Sequence, residues 1–169
     1  MIGDIEKLLK ELSAAGVRYL VVGGVAVVLY GYMRAAFDLD RLIDAEPSNV
    51  DLAILIIGSS QNCNVTVRGL NEAYGRASPM RIDSATVHVA SIDDLIAMKR
   101  DTGRPQDAVD IEALLELQKP ETPDAPFDGS FEGTRRRQAR EGRKLSPTER
   151  LRWLESWNTE LRSLRGRAS

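Results

Sequence analysis

The chain is organised around one stretch, residues 19–44. It opens with an uninterrupted apolar and β-branched run, YLVV at residues 19–22, which predicts a buried strand. Gly23-Gly24 interrupts that run, and the apolar residues that follow, 25–30, predict a short helix. Gly31 ends this helix, since glycine commonly follows a helix C-terminus.

Residues 37–43 alternate in character, which predicts a second strand whose side chains point to opposite faces in turn. Asp38 and Asp40 share one face of this strand. The apolar side chains share the other face: Phe37, Leu39 and Ile43. Arg41 also falls on the apolar face, where a buried charge would need a partner unless its side chain reached solvent near the strand end.

Helical periodicity and capping residues predict much of the remaining structure. The predicted helices cover residues 4–15, 48–57, 92–103, 105–118 and 145–164. Short runs at residues 65–67 and 86–89 predict further strands. Together these elements indicate an α/β fold, a small mixed twisted sheet with flanking helices, followed by a C-terminal helical appendage.

Length and composition favour one folded domain with an appended tail. At 169 residues the chain can bury one core. A composition change at Lys119 begins a segment with three prolines, which predicts a semi-rigid linker. We therefore expect three parts: a domain at 1–118, a Pro-rich linker at 119–130 and a basic, amphipathic helical tail at 131–169.

Charge and cysteine content limit the class of protein. The net charge of −2 gives no global signal for nucleic-acid binding. The single cysteine, Cys63, excludes an intramolecular disulfide and fits a reducing compartment. No stretch reaches the roughly 20 apolar residues of a membrane-spanning helix. We expect a cytoplasmic protein without a membrane partner.

Two aspartates and two glycines are the candidate functional residues. Asp38 and Asp40, two carboxylates on one strand face, repel each other unless a cation lies beside them, and Mg²⁺ binds one or two carboxylates together with substrate phosphates. Gly23 and Gly24 lack side chains, so a phosphate could approach the N–H groups at the start of the following helix. Taken singly, each motif is more often structural, a solvated strand face or a plain turn.

The order and spacing of these motifs carry a family resemblance. Gly23-Gly24, followed after residues 25–37 by Asp38-Leu39-Asp40, resembles the signature of the polymerase-β-like nucleotidyltransferase superfamily. Within that superfamily, the segment from Arg34 to Asp40 resembles the AbiEii/AbiGii toxin-type branch, bacterial proteins often encoded beside an antitoxin. The resemblance covers residues 5–118.

The resemblance implies an activity, its cofactor and its partners. It implies a minimal nucleotidyltransferase fold and transfer of a nucleotidyl group from an NTP to a hydroxyl on RNA or protein, as the toxin-like component of a toxin–antitoxin or phage-defence system. Asp38 and Asp40 would be catalytic and would hold Mg²⁺ or Mn²⁺. The implied nucleotide-binding residues are Gly23, Gly24, Arg34 and Lys99. An antitoxin protein and an RNA acceptor are the implied partners.

The segment KRDTGRPQDAVD, residues 99–110, resembles the closing motif of the same family. Lys99 could neutralise triphosphate charge, while Asp107 and Asp110 share one helix face at i and i+3. The alternative is an ion-pair cluster of these three residues with Arg104 that fastens two helices together. For Lys99 both interpretations stay open, and for the other three we favour the structural role.

The chain departs from the family pattern at the third acidic residue, which would complete the metal site or take the proton of the attacking hydroxyl. Asn64 lies roughly where that residue is expected but is not acidic, and Asp83 is acidic but has the surroundings of a turn. Position 36 is Ala where the family more often has a hydroxyl residue. These departures support a second hypothesis, a catalytically inactive nucleotidyltransferase-fold binding module acting through its C-terminal helix.

The tail has two further features. Arginines within residues 135–143, together with Lys144, form a basic cluster that could contact RNA phosphates or pair with nearby acids. The helix that begins at the capping box, residues 146–149, carries an apolar stripe. The stripe consists of Leu151, Leu154, Trp157, Leu161 and Leu164. It must be buried against the domain, a second copy of the chain or a partner protein.

Overall fold

A mixed five-stranded sheet lies at the centre of the protein. The computed structural model describes residues 4–58, 63–100, 102–120 and 129–166. The strands are β1 (Tyr19–Val22), β2 (Leu39–Asp44), β3 (Cys63–Arg68), β4 (Ser78–Ile82) and β5 (Ala85–Val89). They lie in the order β3-β2-β1-β5-β4. β1 is antiparallel to β2 and parallel to β5, β2 is parallel to β3, and β4 is antiparallel to β5.

In the part of the chain that the structure describes, eight helices accompany the sheet. They are α1 (Asp4–Ala14), α2 (Gly23–Tyr30), α3 (Pro47–Ile57), α4 (Asn71–Gly75), α5 (Ile92–Arg100), α6 (Pro105–Gln118), α7 (Phe131–Lys144) and α8 (Pro147–Gly166). None of these helices is both long and apolar enough to span a membrane. The arrangement confirms the predicted α/β fold, with helices flanking a mixed sheet and further helices at the C-terminus.

β1 and α2 form the centre of the core. All four residues of β1 are buried, because the strand lies between β2 and β5 and is covered by helices. α2 leads directly out of β1 and contacts β1, β2, α6 and α8, so residues 25–29 are all buried. A helix that is apolar on all sides is stable in water only under such cover. The start of α2 is therefore held firmly at the end of β1.

α7 and α8 pack against the same core. Leu151 and Leu154 are fully buried in one apolar cluster with residues of β1 and α2. Gly142 of α7 lies against Gly31, and a Cβ at position 142 would be 1.7 Å from the Gly31 carbonyl oxygen. The first two leucines of the predicted stripe are therefore buried against the domain itself, one of the three possibilities considered from sequence.

The rest of the predicted stripe is not the buried face of α8. Beyond Leu154 the buried positions are Glu155 and Asn158, whereas Trp157 and Leu164 are 40% and 54% exposed. Within the single chain the domain therefore buries only part of the stripe, and burial of Trp157 and Leu164 by a second copy or a partner protein stays a prediction. Positions i, i+3, i+4 and i+7 lie on one helix face, whereas the apolar positions drift away from that face toward the C-terminus.

Specific polar partners explain the two buried polar side chains. Glu155 Oε1 accepts hydrogen bonds from the backbone N–H groups of Ile5 and Glu6, at 2.9 and 3.0 Å. These N–H groups belong to the first turn of α1, which has no intrahelical acceptors for them. Asn158 Nδ2 donates to the carbonyl oxygen of Ala36 at 2.7 Å. α8 is thus hydrogen-bonded both to α1 and to the loop between α2 and β2.

Two arginines of the basic cluster have structural contacts. Arg143 Nη2 donates to the carbonyl oxygens of Leu117 and Lys119, at 2.7 and 3.0 Å, near the end of α6. Arg135 forms an ion pair of 2.6 Å with Glu112. For these two residues the structure favours the interpretation in which the arginines have partners within the chain. Residues 121–128 of the predicted linker lie outside the described residues.

Arg41 is buried without an acidic partner in the part of the chain that the structure describes. It points to the same face of β2 as Leu39 and Ile43 and is 1% exposed. Its Nε, Nη1 and Nη2 atoms have no hydrogen-bond partner among the described residues. Burial lowers the pKa of Arg41 to about 10, while the nearby Tyr19 acts in the opposite direction. The guanidinium therefore remains charged at neutral pH, at an energetic cost to the fold.

Replacing Arg41 with Met should stabilise the protein. The apolar side chain keeps much of the volume and removes the buried cation; apolar replacements of buried ion pairs have raised stability by about 1–4 kcal/mol. Urea unfolding of the wild type and Arg41→Met measures the change, with Arg81→Met, an exposed arginine, as the control. A less stable Arg41→Met variant would contradict the absence of a native partner.

Candidate functional site

The turn between β1 and α2 lies directly against Asp40. In the antiparallel pairing of β1 with β2, Val22 is opposite Asp40, so the aspartate side chain reaches the residue that follows Val22. A Cβ built on Gly23 would lie 2.0 Å from Asp40 Oδ2. Gly23 also has a φ of +67°, in the left-handed region that favours glycine. Both conditions require glycine at this position.

Gly24 is packed against a second candidate residue, Arg34. A Cβ at position 24 would lie 2.9 Å from Arg34 Nη2 and 2.9 Å from the Cβ of Ala36. The guanidinium therefore occupies the space that a side chain of residue 24 would need. We call Gly23-Gly24 the glycine turn. The structure places a carboxylate against its first residue and a guanidinium against its second.

The glycine turn also begins α2. Among the described residues no side chain caps this helix end, and its first turn has no acidic residue. The first N–H groups of a helix have no intrahelical acceptors and carry partial positive charge, so they can bind an anionic oxygen. The predicted role of Gly23 and Gly24 in placing a phosphate stays a prediction, and this helix end is chemically suited to it.

Asp38, Asp40 and Asn64 lie at the starts of the adjacent strands β2 and β3. β2 begins at Leu39, two residues later than predicted, so Asp38 lies in the bend before the strand and is exposed, while Asp40 is half-buried within it. Asn64 pairs with Asp40 in the parallel register of β2 with β3, and Asn64 Nδ2 donates to Asp40 Oδ1 at 2.7 Å. Of the two candidates for the third acidic position, Asn64 is the one beside the aspartates.

Asp83 lies elsewhere, in the tight turn between β4 and β5. Its φ of +53° makes it the only non-glycine residue with positive φ in the described part of the chain. It forms an ion pair of 2.6 Å with Lys10 of α1. This confirms the interpretation of Asp83 as a turn residue.

Lys99 and Arg34 both donate hydrogen bonds to the buried Asp110, and Lys99 also donates to the buried Asp107. Lys99 Nζ donates to Asp107 Oδ1 at 2.6 Å and to Asp110 Oδ2 at 2.7 Å. Arg34 forms a two-bond pair with Asp110, from Nε to Oδ1 at 2.7 Å and from Nη2 to Oδ2 at 2.6 Å. Arg104 Nε donates to Asp107 Oδ2 at 2.7 Å. We call these five residues the ionic cluster; it joins α5, α6 and the loop before β2.

The ionic cluster contains the four residues of the ion-pair cluster that was one of the two interpretations of Lys99 from sequence. Arg34 is an additional member. Lys99, Asp107 and Asp110 are all buried. Desolvation raises the pKa of Asp107, but hydrogen bonds from Lys99, Thr102 and Arg104 outweigh it and lower this pKa to about 2. Three cations and two carboxylates leave the cluster with one net positive charge. Arg34 is the member of the cluster that lies against the glycine turn.

Sequence reasoning missed one residue that supports the site. Asn158 of α8 holds the carbonyl oxygen of Ala36, in the loop that carries Arg34 and Asp38. No motif marks Asn158, because its partner lies more than a hundred residues away in sequence. Asn158 lies at i+7 from the buried Leu151, on the same helix face, and an amide at such a position is the signal that could have indicated a specific partner.

Comparison with known families identifies the first part of the chain. Residues 2–118 match the family described as nucleotidyltransferase of unknown function, DUF6036. The match spans more than half of the chain, so the chain belongs to this family. The comparison with curated proteins finds no match. The nucleotidyltransferase part of the resemblance is confirmed, and the AbiEii/AbiGii branch stays a prediction.

Replacing Asp107 with Asn should destabilise the fold in a pH-dependent way. Loss of a buried charged acceptor should lower the free energy of unfolding by about 1–3 kcal/mol at pH 7. Because folding lowers the pKa of Asp107, the carboxylate stabilises the fold fully at a pH above its pKa in the unfolded chain, near 3.8. This stabilisation is lost as the pH falls toward the pKa in the folded chain, about 2. The difference between wild type and variant should therefore shrink progressively below pH 4.

Urea unfolding at several pH values between 3 and 7 measures this difference. Asp51→Asn, at an exposed position of α3, is the matched control and should show little change at any pH. A wild-type advantage over Asp107→Asn that stays constant across this range would contradict the ionic account of the cluster.

Proposed function

We propose that this member of the nucleotidyltransferase family transfers a nucleotidyl group from an NTP to a hydroxyl. The observation that carries the proposal is the glycine turn at the start of α2, with Asp40 on one residue and Arg34 on the next. In the reaction, the acceptor oxygen forms a bond to the α-phosphorus and the bond from that phosphorus to the β-phosphate oxygen breaks. Pyrophosphate leaves with the electron pair, and the hydroxyl proton passes to solvent.

The donor atoms at the sheet edge fit Mg²⁺ or Mn²⁺. Both ions favour oxygen ligands, and Mg²⁺ is commonly held by one or two carboxylates together with substrate phosphates. Asp38 and Asp40 supply the carboxylates, and the amide oxygen of Asn64 is a further neutral donor beside Asp40. The bound ion would offset negative charge on the triphosphate. We assign Asp38 and Asp40 as its ligands.

Arg34 is better placed than Lys99 to contact the triphosphate. Lys99 is buried between Asp107 and Asp110, so contact with a phosphate would require it to leave them. Arg34 lies on the glycine turn with a partly exposed side chain, and the bonds to Asp110 and to the Ala35 carbonyl use only some of its N–H groups. We infer that Arg34 contacts the phosphates directly and that Lys99 acts through Asp110.

The biological role that we propose is that of a toxin-like component in a bacterial toxin–antitoxin or phage-defence system. Its support is the resemblance of the segment from Arg34 to Asp40 to the AbiEii/AbiGii branch. The acceptor hydroxyl would then belong to RNA or protein in the cytoplasm, and an antitoxin protein would be the natural partner.

A second candidate function is that of a nucleotide-binding module without transferase activity. Asn64 favours it, because an amide cannot take the proton of an acceptor as a carboxylate can. Binding of a partner through the C-terminal helix, the route considered from sequence, is limited by the structure. Leu151 and Leu154 are buried within the chain, and Trp153, Trp157 and Leu164 remain exposed.

Calorimetric titration with ATP, GTP, CTP and UTP, with and without Mg²⁺, tests the proposed site. We expect Mg²⁺-dependent binding of at least one NTP, and a loss of affinity of at least about tenfold in Asp38→Asn/Asp40→Asn, because both ligand charges are removed. Asp51→Asn is the matched control, and circular dichroism verifies the fold of each variant.

Binding that needs no Mg²⁺, or that survives in the double variant, would contradict the assignment of the aspartates. Once an acceptor is known, Asp38→Ala should abolish transfer while leaving the fold intact. Metal-dependent NTP binding with no transfer to any acceptor would support the second candidate.

A further inference from the structure

We propose that this site holds a single divalent cation, the one that accompanies the triphosphate, and has no site for a second. The proposal rests on the proposed function, since it concerns the same carboxylates. Sites that bind two metals hold them about 3.5–4 Å apart and need enough negative ligand charge to offset both. The side chains beside Asp40 do not supply that charge.

Asn64 occupies the position from which a further carboxylate would reach the metal. The parallel register of β2 and β3 sets Asn64 directly beside Asp40. Its amide nitrogen donates to Asp40 Oδ1 at 2.7 Å, a bond that a carboxylate side chain could not make. The amide oxygen can still ligate a metal but brings no charge. Asn64 therefore stabilises Asp40 with a neutral hydrogen-bond donor in place of a second cation.

No other acidic group among the described residues supplies the negative charge that Asn64 lacks. The described part of the chain contains no group of three or more His, Cys, Asp or Glu side chains arranged to hold a metal ion. Asp44, at the far end of β2, is paired with Arg18 at 2.7 Å. Asp107 and Asp110 are held by the cations of the ionic cluster.

A fixed positive charge is already present on the other side of the glycine turn. The Arg34 guanidinium lies against Gly24, and the ionic cluster to which it belongs has one net positive charge. This charge can stabilise phosphate oxygens without a bound ion. It also repels an additional cation. Arg34 thus supplies positive charge to the phosphate oxygens, as a second metal ion would.

Counting bound Mn²⁺ by electron paramagnetic resonance tests the proposal independently of activity. The free Mn²⁺ signal is titrated in the presence of the full chain saturated with a non-hydrolysable ATP analogue, or the analogue of whichever NTP binds, with the analogue alone as reference. We expect one Mn²⁺ per complex for the wild type and two for Asn64→Asp, which introduces a carboxylate beside Asp40.

Thr66→Asp is the matched control. It adds the same charge to the same face of β3 but about 7 Å further along the strand, so its Mn²⁺ count should equal that of the wild type. Two Mn²⁺ per wild-type complex would overturn the proposal, as would a single Mn²⁺ in a folded Asn64→Asp variant. Failure of the wild type to bind the metal–nucleotide complex at all would instead contradict the proposed function.

Discussion

The contact of the glycine turn with two oppositely charged side chains is the constraint on which the rest of the site depends. Asp40 fills the space of a side chain at Gly23, and Arg34 fills that of a side chain at Gly24. Neither contact leaves room for a Cβ. The register of β1 with β2 brings Asp40 to the turn, and the loop before β2 brings Arg34. The start of α2 therefore lies between a fixed negative and a fixed positive charge, an environment suited to a triphosphate with its cation.

The structural and functional interpretations of the ionic cluster are compatible. Asp110 is fully buried and accepts hydrogen bonds from both Arg34 and Lys99, so it joins α6 to the loop before β2 and to α5. The same bonds fix the direction of the Arg34 guanidinium at Gly24. A residue whose geometry is set by buried partners can bind phosphate without first losing conformational freedom. The same contacts therefore stabilise the cluster and preorganise the Arg34 guanidinium for phosphate binding.

Local patterns predicted most of the fold, and contacts between distant segments account for what they missed. The apolar run of β1 and the capping residues before α5 and α8 are readable because strand alternation, helical period and capping act over a few residues. The pairing of Asn64 with Asp40 depends on the register of β3, which no local pattern specifies. Glu155 and Asn158 are buried because α1 and Ala36 supply their partners. From sequence, a buried Arg41 was expected to need a partner, whereas the structure buries it and the described residues contain none.

The most direct test of this account is a crystal structure of the chain with Mn²⁺ and a non-hydrolysable NTP analogue. Anomalous scattering would locate the metal, and the density would locate the triphosphate. We predict that Mn²⁺ lies on Asp38 and Asp40, and that the triphosphate follows the glycine turn with Arg34 on its other side. A nucleotide bound away from this turn, or a metal bound to other residues, would contradict the central claim.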